Sequence, residues 1–297
     1  MARVGHAPVD DDLHRRRWAV LLRPVLVLPA LALLLALVVL AVVAAVLGWF
    51  ASLVRGRMPL GLRNAGAFAV GYGGRVARYG LLATDRYPDS GPGHAAAPRM
   101  HPIAIRVRDD LGRPRLVVAF RPLLAVPHLY WLVLWSVPAL LAAVAAWVAA
   151  LVIGRVPAPL HRFLAAFVRA VAHVSAFLHV VGRPYPGFVG REGGYPIDLT
   201  IAGPARQRRL GVLARIVLAG PALLLAAAYA FVGLIVALLA WIAALVSGRA
   251  PSGLRDLGVS SIRYQAQTAS YLLLLTPRYP NSSPALDPSG AGEEADG

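Results

Sequence analysis

The side chains that could do chemistry in this sequence are arginines and a few histidines, set among apolar residues. Arg75, Arg169 and Arg263 stand in segments rich in Leu, Val, Ala and aromatic residues. Ionisable groups in such surroundings are candidates for function, because placing a charge in apolar surroundings is unfavourable. Their guanidinium groups could pair with lipid phosphates or with an anionic substrate. The plainer alternative is that each arginine extends its charge to the lipid headgroups.

The histidines do not predict a metal site. His173 and His179 are six residues apart and therefore face different directions on a helix, and the sequence contains no cysteine. No carboxylate pair, Ser/His/Asp set or nucleotide-binding loop is apparent in the sequence. We therefore expect no metal, no cofactor and no catalytic residues, and a protein that is not an enzyme.

The composition predicts an integral membrane protein. The 297 residues are 58% hydrophobic and 15% charged, and the mean hydropathy is +0.63. Three uncharged apolar runs, Val25–Val54, Leu123–Ile153 and Ile216–Val246, exceed the 18 residues typical of a membrane span. Many of the arginines behind the net charge of +16 flank these runs. This placement favours anionic lipid headgroups as the partner and argues against nucleic acid.

One pattern occurs three times along the chain. Each copy contains Gly-Arg-x-Pro, preceded by an arginine 33 residues before the glycine and followed by an aromatic residue 23 after it and by Tyr-Pro. The predicted turn residues are Gly56, Arg57, Pro59, Gly154, Arg155, Pro157, Gly248, Arg249 and Pro251. The arginines and aromatic residues are Arg23 and Tyr79, Arg121 and Phe177, and Arg215 and Tyr271.

A tryptophan also recurs seven residues before each of these glycines, at Trp49, Trp147 and Trp241. Their equal position in the three copies predicts membrane-interface anchors. Ordinary packing aromatics are the alternative.

Each unit is predicted to be a long apolar helix followed by an amphipathic helix. Pro29, Pro127 and Pro221 predict a break near the start of the long helix, because proline lacks a backbone donor. In the second helix, polar residues recur on one face. This polar stripe comprises Asn64, Gly71, Arg75 and Arg78, then Arg162, Arg169, His173 and Ala176, then Asp256, Arg263, Gln267 and Ser270. We expect it to contact lipid or an anion through Arg75, Arg78, Arg169, His173, Arg263 and Gln267.

Two placements of the second helix are compatible with its sequence. A helix that crosses the membrane gives hairpins whose linkers and termini share one side, whereas a helix in the interface plane inverts each successive unit. The crossing arrangement is favoured. Arginines are more numerous in the N-terminal segment and linkers than in the opposite loops, which predicts that the termini and linkers are cytoplasmic.

The segments between the units predict short strands. Residues 102–110 and 196–203 alternate in polarity, and a second strand after a turn at residues 109–114 would complete a small hairpin. The predicted organisation is a disordered tail at 1–17, units at 18–88, 121–186 and 215–280, strand-containing linkers at 89–120 and 187–214, and a disordered tail at 281–297. The predicted fold class is therefore an all-α integral membrane protein with three tandem helix pairs and short β-hairpin linkers.

These features resemble a bacterial membrane family known as domain of unknown function 4389. The matching residues are Tyr195-Pro196, Pro127-His128, the three Gly-Arg-x-Pro sites, and the segments 82–88 and 274–280. The resemblance covers roughly residues 18–280 and implies three tandem copies of a membrane unit, without an activity. Pro-His survives only in the second unit, and the acidic residue after Thr survives only as Asp85.

The sequence thus predicts a non-enzymatic membrane scaffold or envelope component that contacts anionic lipid, with an unidentified membrane-protein partner as a further expectation. The alternative is a component of a transporter or channel whose polar stripe faces inward.

Overall fold

The computed structural model describes residues 17–81, 84, 86–92, 101–108 and 111–284. This part of the chain is mostly helical and contains six helices and two strands. The elements are α1 (Arg17–Arg55), α2 (Leu60–Gly80), β1 (Ile103–Val107), α3 (Arg115–Ile153), α4 (Ala158–Leu178), β2 (Ile197–Ile201), α5 (Arg209–Ser247) and α6 (Ser252–Leu272).

The predicted pairing of a long and a short helix is confirmed in all three units. Each long helix has 39 residues and each short helix 21, so their lengths are about 58 Å and about 32 Å at 1.5 Å per residue. The long helices α1 (from Leu22), α3 and α5 are long and apolar enough to cross a membrane.

The Gly-Arg-x-Pro motif forms the turn within each pair. Gly56, Gly154 and Gly248 have φ values of 67°, 75° and 74°, in the left-handed region that glycine adopts without strain. The amide of Gly154 donates to the carbonyl of Ala150 at 3.0 Å, which closes the last turn of α3. The proline of the motif comes directly before the first residue of each short helix.

The predicted break at Pro29, Pro127 and Pro221 is wrong. All three prolines lie inside continuous helices. A proline removes one backbone hydrogen bond, and the many remaining bonds of a 39-residue helix keep it intact on both sides.

The predicted hairpin in each linker is also wrong. Each linker contributes one strand, and β1 pairs antiparallel with β2, from Ile103 opposite Ile201 to Val107 opposite Ile197. We call this two-stranded sheet the ribbon. The expected second strand of the first linker is instead the start of α3, because the apolar residues after Leu116 continue the helical pattern that buries Val118 and Arg121.

The elements form three layers. In the first layer, α5 packs between α1 and α3, and in the second each short helix packs on the long helix of its own unit. The ribbon is the third layer, with β1 on α6 and β2 on α4.

Helices α3 and α5 run antiparallel. The amide of Arg113, before α3, donates to the carbonyl of Gly248, after α5, at 2.9 Å. The amide of Gln207, before α5, donates to the carbonyl of Gly154, after α3, at the same distance. The second and third units are therefore inverted relative to each other. The arrangement that the sequence favoured, in which all linkers share one end, is not the one observed.

Helix α6 lies at the centre of the molecule although it is the least apolar of the six. None of its side chains between Leu257 and Leu272 is exposed. Residues 281–284 run back along α6, with Ser282 and Ser283 buried. The prediction of a disordered tail is therefore wrong for residues 281–284, whereas 1–16 and 285–297 lie outside the described residues.

Candidate functional site

The repeated arginine and the repeated aromatic residue meet in every unit. Arg23, Arg121 and Arg215 place their guanidinium carbons 4.7, 4.7 and 4.2 Å from the ring centroids of Tyr79, Phe177 and Tyr271, respectively. The tyrosine of Tyr-Pro then packs edge-on against the same ring, at centroid distances of 5.4, 5.7 and 5.5 Å for Tyr87, Tyr185 and Tyr279. We call each set of three side chains a helix-end stack.

Each arginine of a helix-end stack also bonds to the backbone of the short helix. Arg121 donates to the carbonyl of Phe177 at 2.8 Å, and Arg215 donates to that of Tyr271 at 2.6 Å. Arg23 donates to the carbonyl of Tyr79 at 2.9 Å. These carbonyls belong to the last turn of the short helix, where the helix dipole favours a positive charge. The stack therefore fastens the end of the short helix to the start of the long one.

The arginines of the helix-end stacks are among the most deeply buried residues. Arg121 is 1% exposed, Arg215 3% and Arg23 5%. Burial of a guanidinium is unfavourable unless interactions offset it; here the aromatic ring faces the charge, and the backbone carbonyl accepts a hydrogen bond from Nη1. Their repetition was visible in the sequence, but the contact between positions 56 residues apart was not predicted.

The polar stripe of the second unit faces the ribbon. Arg169 donates through Nε to the carbonyl of Leu199 at 2.9 Å and through Nη2 to Glu192 at 2.8 Å. His173 Nε2 lies 2.8 Å from Asp198 Oδ1. Arg169 and His173 are 9% and 2% exposed, so both are enclosed by protein.

Asp198 is the acidic partner within this cluster. Burial alone would raise the pKa of its carboxyl, but hydrogen bonds from His173 and from the backbone amides of Gly193 and Leu199 outweigh burial and lower it. The carboxylate form is therefore stabilised by the fold. The sequence reasoning missed Asp198 because it belongs to a strand in a linker and meets His173 only in the folded chain.

The polar stripe of the third unit faces the ribbon and the segment 281–284. Gln267 donates to the carbonyl of Ile103 at 3.0 Å and accepts from the amide of Asn281 at 2.9 Å. Arg263 donates to the carbonyl of Ser283. Arg263 is 2% exposed and Gln267 1%. The stripe was predicted to contact lipid or an anion. That prediction does not fit Arg169, His173, Arg263 and Gln267, because protein covers all four side chains.

The first unit differs from the other two. Arg75 is half-buried, with its guanidinium carbon 5.6 Å from the ring centroid of Tyr72 and 5.9 Å from that of Phe68. Arg78 is exposed on the surface of α2. Of the six side chains predicted to contact lipid or an anion, Arg78 is exposed and Arg75 is partly exposed.

Two of the three tryptophans join the second and third units. Trp147 donates to the carbonyl of Leu272 at 3.1 Å, and Trp241 donates to that of Val118 at 2.7 Å. Both are half-buried packing residues, which was the alternative to the anchor prediction. Trp49 is 61% exposed and remains a candidate membrane anchor.

The histidines of the second unit make separate contacts. His128 lies 2.8 Å from the carbonyl of Pro186 and stacks on Phe188, while His179 lies 2.6 Å from that of Ser175. Within the described ranges, no three His, Cys, Asp or Glu side chains are grouped in a way that could hold a metal ion.

Together these features define a helical protein with three long apolar helices, each fastened to a shorter helix by a helix-end stack. The chain belongs to the family "Domain of unknown function (DUF4389)", which matches residues 17–90 and 209–283. The expected three family copies are thus corrected to two matched copies, since the second unit lies outside the matched residues. No curated protein and no solved structure matches the chain.

Proposed function

We propose that this protein is a non-enzymatic scaffold or envelope component embedded in the cell membrane. The observation that carries the proposal is the uncharged outer surface of the three long helices. Leu35 of α1, Leu140 of α3 and Leu234 of α5 are 63%, 66% and 63% exposed, and similar residues continue along each helix. Soluble proteins rarely expose contiguous apolar patches larger than a few hundred Å², so this surface fits hydrocarbon.

Anionic lipid is the proposed contact of the arginines at the ends of the long helices. Arg57, Arg155 and Arg249 are exposed in the Gly-Arg-x-Pro turns, and Arg115 and Arg209 are exposed at the starts of α3 and α5. A basic side chain near an anionic membrane surface contributes about 1 kcal/mol to binding. Because the cytoplasmic membrane surface is anionic, this contact also supports a cytoplasmic position for the linkers and turns.

A transport function has weaker support. It required a polar stripe facing a water-filled path, whereas Arg169, His173, Arg263 and Gln267 are buried against the ribbon and the segment 281–284. These contacts favour a structural role for the stripe, which holds the third layer of the fold on the second.

Flotation with lipid vesicles tests the proposal. We expect the purified chain to float with vesicles of phosphatidylcholine, to resist alkaline carbonate extraction, and to unfold at a higher temperature when phosphatidylglycerol is included. The triple variant Arg57→Gln, Arg155→Gln, Arg249→Gln should lose much of this phosphatidylglycerol effect.

The matched control is the double variant Arg106→Gln, Arg108→Gln, which removes exposed charges from the first linker. It should keep the full phosphatidylglycerol effect, because the ribbon is the layer farthest from the long helices. A chain that stays in the aqueous fraction would contradict the membrane proposal. Equal loss in both variants would contradict the assignment of the lipid contact to the turns.

A further inference from the structure

The uncharged part of each long helix is too long for an upright span. The run Ile216–Val246 of α5 contains 31 residues and measures about 46 Å, against a hydrocarbon thickness of about 30 Å. Tilting could absorb the excess only at about 50° from the membrane normal, outside the usual range of about 0–40°.

The exposed apolar face of α5 also continues along its whole length. Its large side chains include Leu213 and Leu224, each 51% exposed, Leu234 at 63% and Ile242 at 47%. From Ile216 to Ser247 the helix carries no charged residue. The face is therefore a uniform stripe, without a more polar part that would emerge from the hydrocarbon at either end.

The ribbon lies beside the short helices, within their length and not beyond their ends. Arg169, near the centre of α4, bonds to β2, and Gln267 of α6 bonds to β1. Arg106 and Arg108, on and beside β1, are exposed. If the long helices stood upright, these charges would lie at hydrocarbon depth. A charged side chain that faces hydrocarbon is costly, which is why such residues rarely face lipid.

The connection between the second and third units leads to the same conclusion. It begins at the end of α4, where Val180 and Val181 accept hydrogen bonds from Arg113 beside the start of α3. It ends at Gln207, beside the opposite end of α3. Exposed residues on the way include Arg191 and Glu192. In an upright arrangement this irregular, charged segment would itself cross the bilayer.

We propose that the protein occupies one leaflet, with α1, α3 and α5 lying along the membrane plane. The outer face of these helices contacts the hydrocarbon of that leaflet, and the ribbon projects into the water on the same side. The inference rests on the proposed membrane function and specifies its topology: both ends of every long helix remain on one side of the bilayer. Such a protein covers a membrane surface without opening a path through it.

Single cysteines test this topology cleanly, because the chain has none of its own. Ser252→Cys marks one end of the molecule, next to the end of α5, and Ala158→Cys marks the other, next to the end of α3. Arg106→Cys marks the ribbon. All three positions are exposed. Each variant is expressed in bacterial inner membranes, and a membrane-impermeant maleimide is applied to spheroplasts and to inverted vesicles.

We expect all three cysteines to be labelled in the same membrane orientation and in no other. Labelling of Ser252→Cys and Ala158→Cys from opposite sides overturns the proposal, and so does a ribbon cysteine that reacts only after detergent is added. Arg108→Cys replaces Arg106→Cys if that variant does not accumulate. Membrane flotation of the same samples separates the proposed membrane function from the proposed topology. A chain that does not float refutes the membrane function. A chain that floats but is labelled from both sides refutes only the topology.

Discussion

Removing the arginine of one helix-end stack should destabilise the whole fold. Arg215→Met keeps the length and apolar stem of the side chain but removes the charge above Tyr271 and the hydrogen bond to its carbonyl, which measure 4.2 and 2.6 Å. A hydrogen bond from a charged donor contributes about 1.5–3 kcal/mol, and a desolvated cation–π contact about 2 kcal/mol. The guanidinium also loses hydration on burial, and methionine avoids this cost. We therefore expect a net loss of about 2–3 kcal/mol.

The assay is thermal unfolding in detergent micelles, followed by the fluorescence of the six tryptophans. A loss of this size should lower the midpoint by roughly 4–10 °C in a chain of this length. The matched control is Arg249→Met, an exposed arginine of the same unit, which should change the stability by less than about 0.5 kcal/mol.

A double-mutant cycle with Tyr271→Leu separates the ring contact from the loss of the backbone hydrogen bond. The ring contact should appear as a coupling of about 1–2 kcal/mol between the two substitutions. Strictly additive effects, or an Arg215→Met midpoint equal to that of Arg249→Met, would refute the role assigned to the helix-end stack.

Three further predictions concern the turns, the half-buried His101 of the first linker and the tryptophans. Gly154→Ala should lower the stability measured by thermal unfolding by about 1–2 kcal/mol, because Gly154 has a left-handed backbone. Gly220→Ala should raise it by about 0.5–1 kcal/mol, because Gly220 lies in α5 with open space around it. Stability changes of the same sign in the two variants would contradict this account. Burial lowers the pKa of the His101 imidazole to about 4 from 6.5, so the folded state resists protonation of this side chain. The free energy of unfolding should therefore be greatest above about pH 6.5 and fall as the pH drops towards 4. The variant His101→Asn should flatten this pH dependence. Trp241→Phe should lower the thermal midpoint because it removes the bond to Val118, and Trp49→Phe should not; identical midpoints would argue against the interhelical role.

The sequence reveals the helix pairs and their turns because these depend on local features. Gly154 and Pro157 end one helix and begin the next, and long apolar runs specify the long helices. The arginines and aromatic residues of the stacks were found through their repetition. Their contact could not be derived, because residues such as Arg121 and Phe177 lie on different helices and meet only when the pair closes.

The polar stripe shows most clearly where sequence reasoning stops. Amphipathic spacing shows that Arg169, His173 and Gln267 share one face of their helices, but it does not say what covers that face. The covering elements are the ribbon, formed by five-residue strands from two linkers, and the segment 281–284. Strand pairing across 90 residues of chain, as between Val107 and Ile197, is set by tertiary packing that no local pattern encodes.

The central claim is that the outer face of the long helices contacts hydrocarbon along its entire length. Spin labels on single cysteines at Leu213, Leu224, Leu234 and Ile242 of α5, in reconstituted vesicles, measure this directly through collision with oxygen and with a water-soluble nickel chelate. We predict that oxygen access exceeds nickel access at all four positions, with similar depth at each. Nickel access that exceeds oxygen access along the helix would contradict the membrane contact.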